Sequence, residues 1–106
     1  MFSVTYLMIR DAIIRMKIVE GYYDQRWRIM CPHAIGTKRG REQALFYQFA
    51  GDSSSPLGAP GSPDNWRCMP IAGLSQVRVV DGDWHSAANH SRRNTCLDWV
   101  DVEVGY

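Results

Sequence analysis

Apolar residues recur at helical spacing in one place along this chain. Tyr6, Met8, Ile9, Ala12, Ile13 and Met16 share one arc at roughly 100° per residue, which predicts an amphipathic helix over 4–16 with Ser3 as N-cap. Leu7 and Ile14 form a second, narrower apolar stripe on the other side, beside Arg10 and Asp11. Two readings of that stripe stand: contact with a later loop or the C-terminal tail, or a surface for a partner such as a second copy.

From Lys17 the period falls to two. Lys17–Tyr23 and Arg26–Ile35 read as strands joined by the two-residue turn Asp24-Gln25. On the second strand Arg26, Arg28 and Met30 share one face and Trp27, Ile29 and Cys31 the other. Gly36-Thr37-Lys38-Arg39-Gly40 reads as a turn with two cations at its tip. Arg41–Ala50 follows as a third strand, with Leu45, Tyr47 and Phe49 opposed to Ala44, Phe46 and Gln48. Gly51–Pro63, with three Pro, three Gly and four Ser, is a loop. Trp66–Pro70 is a fourth strand. Ile71, Leu74, Val77 and Val79 suggest one tight helical turn and a fifth strand ending at Asp81-Gly82. After turn-like residues from His85 to Asn94, the alternation Val100, Val102, Val104 reads as an edge strand.

A helix followed by five or six short strands is an α+β pattern. Short strands joined by tight turns close most economically into a small barrel with the helix packed across one end. The expected organisation is a single domain over 1–106: helix 1–16, barrel 17–82, C-terminal extension 83–106. A chain of 106 residues is long enough for one core and too short for two independent ones, and 45% hydrophobic against 22% charged residues excludes disorder. No segment approaches the roughly 18–20 uninterrupted apolar residues of a membrane span, and no secretion signal is read at the N-terminus. With three cysteines, Cys31, Cys68 and Cys96, and no C-x-x-C pair, the simplest expectation is a cytoplasmic protein with free, mostly buried thiols.

The net charge of +1 hides an asymmetry: residues 1–41 carry +5, residues 42–80 carry −1 and residues 81–106 carry −3. Ten of the twelve cations are Arg, whose planar fork suits phosphate or carboxylate. Arg26 and Arg28 project from one strand face about 7 Å apart, with Lys38, Arg39 and Arg41 on the adjoining turn. Tyr23, Tyr47 and Trp66 offer rings for base stacking. The plainer reading is a solvated strand face whose Arg stems cover apolar surface, neutralised by the tail residues Asp98, Asp101 and Glu103.

Other chemistry is thinner. Cys31-Pro32-His33 is a C-x-H pair to which Cys68, His85, His90 and Cys96 could add ligands, but the tight paired spacing of zinc sites is missing, so no metal is expected. No spacing brings a Cys and a His together as nucleophile and base, and the carboxylates sit in turns and tail; no catalytic residue and no cofactor are expected. Asp52-Ser53-Ser54-Ser55 lacks the phosphate-loop pattern and reads as a flexible loop, with a lid over the Arg groove as the alternative. Asn89-His90-Ser91-Arg92-Arg93 is a polar cluster that extends the groove if the tail folds back and is otherwise an exposed turn.

The order of motifs resembles a known family. A helix bearing Asp11-Ala12-Ile13 precedes a strand ending in Tyr22-Tyr23, then Arg28-Ile29-Met30-Cys31-Pro32 with its R-x-x-x-P spacing. The aromatic strand Ala44-Leu45-Phe46-Tyr47-Gln48 follows, then Trp66-Arg67-Cys68-Met69-Pro70-Ile71-Ala72-Gly73-Leu74. Over residues 5–80 this resembles the WYL domain, a small Sm/SH3-like barrel of bacterial transcriptional regulators and defence systems, with Ala44-Leu45-Phe46 in place of the name-giving triplet. The resemblance implies an Arg and aromatic groove for nucleotides or single-stranded nucleic acid. The expectation is a stand-alone, non-enzymatic sensing or accessory module. Arg26, Arg28, Arg39, Arg41 and Arg67 would hold phosphates, and Tyr23, Tyr47 and Trp66 would stack. The alternative is a protein-interaction module that forms a homodimer through the N-terminal helix.

Overall fold

The computed structural model describes residues 2–54, 56–87 and 93–104. It is α+β: helix α1 (Val4–Arg15) and a six-stranded antiparallel sheet of β1 (Ile18–Tyr23), β2 (Arg26–Lys38), β3 (Arg41–Gly51), β4 (Trp66–Pro70), β5 (Leu74–Val80) and β6 (Trp99–Glu103). A one-turn helix α2 (Arg93–Cys96) precedes β6. No helix among the described residues is long and apolar enough to cross a membrane.

Helix α1 starts where Ser3 accepts from the Tyr6 amide, and Glu42 of β3 accepts from both the Ser3 amide and its hydroxyl, placing a carboxylate at the positive helix end. It stops at Met16, a left-handed cap at φ 52°. Both hairpins use two residues at positive φ, Asp24-Gln25 and Arg39-Gly40, the twist that lets paired strands leave a tight turn without splaying. The expected five-residue turn at 36–40 is therefore only its last two residues. Gly36, Thr37 and Lys38 stay in β2, because β6 runs against Gly36 so closely that a Cβ there would stand 1.8 Å from the Trp99 carbonyl oxygen.

The strand order is β4-β3-β2-β1-β5, with β6 beside the far half of β2. β1 pairs Arg26–Met30 and β6 pairs Ala34–Thr37, so the two lie end to end along one edge of β2 while β3 follows the other. The outermost strands of that order, β4 and β5, are consecutive in the chain and joined by the single turn Ile71–Gly73, which demands strong sheet curvature.

Alternation sorts β2 and β3 between two cores. Met30, Ile35, Ala44 and Phe46 meet Tyr6, Ile9 and Ile13 of α1. Cys31, Ala34, Leu45 and Tyr47 turn to the other face and meet Trp66, Cys96 and Leu97, with Trp84 beside them. A bulge lets His33 join that second face, since Pro32 pairs with Phe46 and Ala34 with Leu45. The C-terminal residues thus form a layer of the fold. Leu7 and Ile14, by contrast, lie outside both cores: they are 52% and 59% exposed, and Val4 beside them 79%.

The expectation of three free thiols is corrected. Cys68 on β4 and Cys96 on α2 are disulfide-bonded with Cα atoms 5.7 Å apart, because β4 and the returning tail flank β3 from the same side. Cys31 is free and buried, and burial pushes its thiol pKa up to about 11. An aromatic disulfide reagent at pH 8 should therefore find no reactive thiol in the native protein, one in denaturant and three after reduction. Three thiols in denaturant without reductant would show the bridge to be absent.

Candidate anion-binding site

The five arginines expected in one groove divide between opposite ends of the β2–β3 hairpin. Arg28 faces Gly51 at the open end, while Lys38 faces Arg41 at the tip; the strand between Arg28 and Lys38 runs on the order of 30 Å. Arg67, opposite Phe46 on β4, joins Arg26 and Arg28. Arg39 and Arg41 belong to the tip.

At the open end, the strand face carrying Arg28 is the one that turns inward with Met30. Arg28 is only 2% exposed, so the picture of a solvated face fails for it. Its Nε donates to the Tyr23 carbonyl (3.3 Å), and its Nη1 donates to Gln48 Oε1 (3.2 Å) and the Ser53 hydroxyl (3.4 Å). The guanidinium stands 5.2 Å from the centre of the Tyr23 ring. All these partners are neutral. Burial, and then the neighbouring Arg26, hold the Arg28 pKa below its ordinary value, yet a guanidinium remains charged at neutral pH.

Two further cations close on the same corner. Arg67 directs Nε and Nη2 to the Ser53 hydroxyl at 3.3 and 3.2 Å, and its Nη1 donates to the carbonyls of Asp64 and Trp66. Arg26 pairs with Asp52 at 3.2 Å, and its Nε is buried with no hydrogen-bond partner. The first loop residues, Asp52 and Ser53, thus sit against the arginines, with the Ser53 hydroxyl accepting from two guanidinium groups. Ser55 lies outside the described residues. Gln48 was missed as a neighbour of the arginines, and Ser53 was weighed only as one residue of the 52–55 loop. Gln48 was visible as the residue on the Phe46 side of β3; nothing local marks Ser53 among its serine neighbours.

The stacking roles do not survive for two of the three rings. Tyr47 and Trp66 are buried, packed edge to face at 5.1 Å, with His33 4.7 Å from Trp66. The Tyr47 hydroxyl donates to the Ser62 carbonyl, pinning the loop over it. Only Tyr23 stands beside the arginines. Elsewhere the exposed Tyr22 meets the half-buried Trp27 across β1 and β2 at 4.9 Å.

At the tip, Lys38, Arg39, Arg41 and Gln43 line an open cleft of about 410 Å³. Asp98 pairs with Lys38 at 3.3 Å and accepts from the Arg39 amide at 2.7 Å, so the acidic tail meets the tip cations. Asp101 is engaged elsewhere, by Tyr6 and Arg10, and neither reaches Arg26 or Arg28.

The C-x-H pair is spent on structure. His33 Nδ1 meets the Cys31 carbonyl at 2.9 Å and Nε2 the Ser86 hydroxyl at 3.1 Å. The Cys31 sulfur accepts from the His85 amide. Cys68 and Cys96 are consumed by their bond, no group of three ligand residues forms among the described residues, and His90 and residues 89–92 of the tail cluster lie outside them. No protein-family model, curated protein or solved structure matches this chain.

Proposed function

We propose that this domain is a non-enzymatic ligand-sensing or accessory module that binds a phosphate-bearing ligand, a nucleotide or short single strand, at the open end of the β2–β3 hairpin. The observation that carries the reading is Arg28, a buried cation with no carboxylate partner among the described residues, with Arg26 and Arg67 drawn to the same corner. Buried charges are ordinarily paired, and keeping one among neutral acceptors costs stability unless an arriving anion completes it. Arg28 and Pro32 also form the R-x-x-x-P spacing on which the WYL resemblance rests. The order β4-β3-β2-β1-β5, with its outer strands joined by one turn, supports an Sm/SH3-like barrel. A cytoplasmic location loses its premise with the Cys68–Cys96 bond, which persists most readily in an oxidising compartment.

The test is fluorescence anisotropy of a labelled single strand across a salt series. Three arginine contacts predict a slope of log K against log salt near about −2. Changing Arg26 and Arg67 to Ala should flatten it, whereas changing Arg39 and Arg41 should leave it in place. A slope near zero for the native protein removes the reading.

A second reading is favoured by the exposed Val4, Leu7 and Ile14 stripe on α1: a homodimer or protein-interaction surface. Leu7→Asp with Ile14→Asp should abolish self-association in sedimentation without unfolding the chain, since neither side chain enters a core. A native protein that sediments as a monomer at all concentrations rejects the homodimer.

A further inference from the structure

We infer that the cleft between the β1–β2 turn and a bulge in β5 is a second ligand site, one that takes a neutral carbohydrate. None of its lining residues belongs to the arginine corner, so it stands or falls independently of the phosphate reading.

Tyr22 of β1 pairs with Ser75 and Glu20 with Arg78, so Gln76 and Val77 stand together opposite the single Gly21. Gly21 suits that crowding: a Cβ there would lie 3.2 Å from Val77 Cγ2 and 3.3 Å from the Ser75 carbonyl oxygen. Gln76 does not suit its place. It sits at φ 52°, a left-handed conformation that glycine adopts freely and glutamine only at a cost. Asp24 and Gln25 also take positive φ, but there the hairpin turn requires it. A strained residue other than glycine inside a strand is the kind of outlier that gathers at binding sites.

Gln76, Asp24 and Gln25 line one open cleft of about 580 Å³ with Tyr22, Ser75 and Gly73, a volume ordinary for a small-molecule site. Among the described residues, the side chains of Asp24, Gln25, Ser75 and Gln76 make no hydrogen bond, and Asp24 feels the Arg28 charge without pairing to it. Open to a ligand are therefore two amides and a hydroxyl, which each donate and accept, and a carboxylate, which accepts at both oxygens. Sugar hydroxyls donate and accept in the same way, and two neighbouring ones match the two oxygens of a carboxylate. Tyr22 supplies the apolar wall. It is 37% exposed and meets Trp27 edge to face at 4.9 Å, a contact that covers at most one face of its ring. The negative face of such a ring attracts the C–H bonds of a pyranose.

Charged ligands fit less well. An anion would meet Asp24 and no cation in the lining, since the nearby Arg78 is held by Glu20 at 2.6 Å and lies over the Trp27 ring. A cation would use Tyr22 and Asp24 but would leave the amide N–H donors without an acceptor.

The experiment is amide NMR of the isotope-labelled full chain, titrated with neutral hexasaccharides of α-linked glucose, β-linked glucose, mannose, xylose and N-acetylglucosamine. Each is taken to about 10 mM, which reveals binding in the millimolar range. At least one should shift the amides of Tyr22, Asp24, Gln25 and Gln76 saturably and leave those of the Lys38–Arg41 tip in place. Tyr22→Ala should abolish that binding. Gln76→Gly should weaken it about tenfold, the loss of one well-placed set of hydrogen bonds, while raising the melting temperature because the backbone strain is gone. This second variant keeps the test decisive if Tyr22→Ala loosens the hairpin. Arg26→Ala with Arg67→Ala should bind the saccharide as the native chain does. Choline and thymidine monophosphate are the charged counter-probes. No saturable shift of these amides with any of the five saccharides overturns the assignment. So does saccharide binding unchanged in Gln76→Gly, or a cleft that responds to choline or thymidine monophosphate and to no saccharide.

Discussion

Replacing Gly36 by alanine is expected to strip β6 from the sheet and lower the stability by about 3 kcal/mol or more, the upper range for forcing atoms into a packed site. The new Cβ would lie 1.8 Å from the Trp99 carbonyl oxygen, 2.9 Å from the Trp99 carbonyl carbon and 3.1 Å from the Val100 Cα. All three are backbone atoms, so no side chain can swing away to relieve the clash. The strand must separate, and with it go the pairing of Ala34–Thr37, the burial of Val104 and the grip of Asp101 on Tyr6 and Arg10. Thermal unfolding should fall by about 10 °C or more, and the β6 amides should exchange their hydrogens quickly. Gly40→Ala is the control. Gly40 sits at φ +78° with open space around it, so alanine there meets only backbone strain of about 1–2 kcal/mol. Equal melting of Gly36→Ala and native protein, with protected β6 amides, would contradict the close approach of the two strands.

Removing the bridge by Cys68→Ser with Cys96→Ser has the second large effect. The two residues are 28 apart, and closing a loop of that length restricts the unfolded chain by about 3.5 kcal/mol in the chain-entropy account. The double variant should lose most of that in denaturant unfolding, with the C-terminal layer loosening first. The bridge is local to several other ties. Gln43 donates to the Cys96 carbonyl, Lys38 to the Thr95 carbonyl, and Asp98 holds both Lys38 and the Arg39 amide. A variant that unfolds at the native denaturant midpoint would show that the bridge adds nothing to these contacts.

The Asp98 tie has its own pH signature. The Arg39 N–H, then Lys38, hold the Asp98 carboxyl below the usual carboxylate range. A depressed carboxyl stabilises the fold above its unfolded pKa near about 3.9 and loses that contribution as pH falls through the lower folded value. The Arg39 amide resonance should therefore hold steady at neutral pH and shift only in the acid range below about pH 4. A shift centred near neutrality would point to a different partner.

Particular residues show how far local pattern reaches. Asp24-Gln25 is legible as a hairpin turn from the two alternating runs that flank it, and the strands at 66–70 and 74–80 follow from apolar runs between turn signals. Gly36 looks identical to a turn glycine in the sequence, since both uses need a missing Cβ. Only the arrival of β6, more than sixty residues later, tells them apart. Arg28 was legible as part of a basic face at period two, but period two does not say which face is inside. Tyr47 and Trp66 were misplaced for the same reason: an aromatic on an alternating strand serves a core or a ligand equally well.

What the sequence determined by itself is short-range: the helix with its Ser3 cap, the turn at Asp24-Gln25, the strands apart from the end of β2, the α+β class and the wealth of arginine in the first forty residues. These rest on interactions within a few residues of the chain, where backbone sterics and side-chain period dominate. The tertiary structure decided that both sheet faces are covered, that Cys68 meets Cys96, that Arg39 and Arg41 stand apart from Arg28, and that Ser53 lies beneath Arg28 and Arg67. Each depends on segments 14 to more than 60 residues apart reaching one point, which strand pairing and burial fix together and no local pattern encodes.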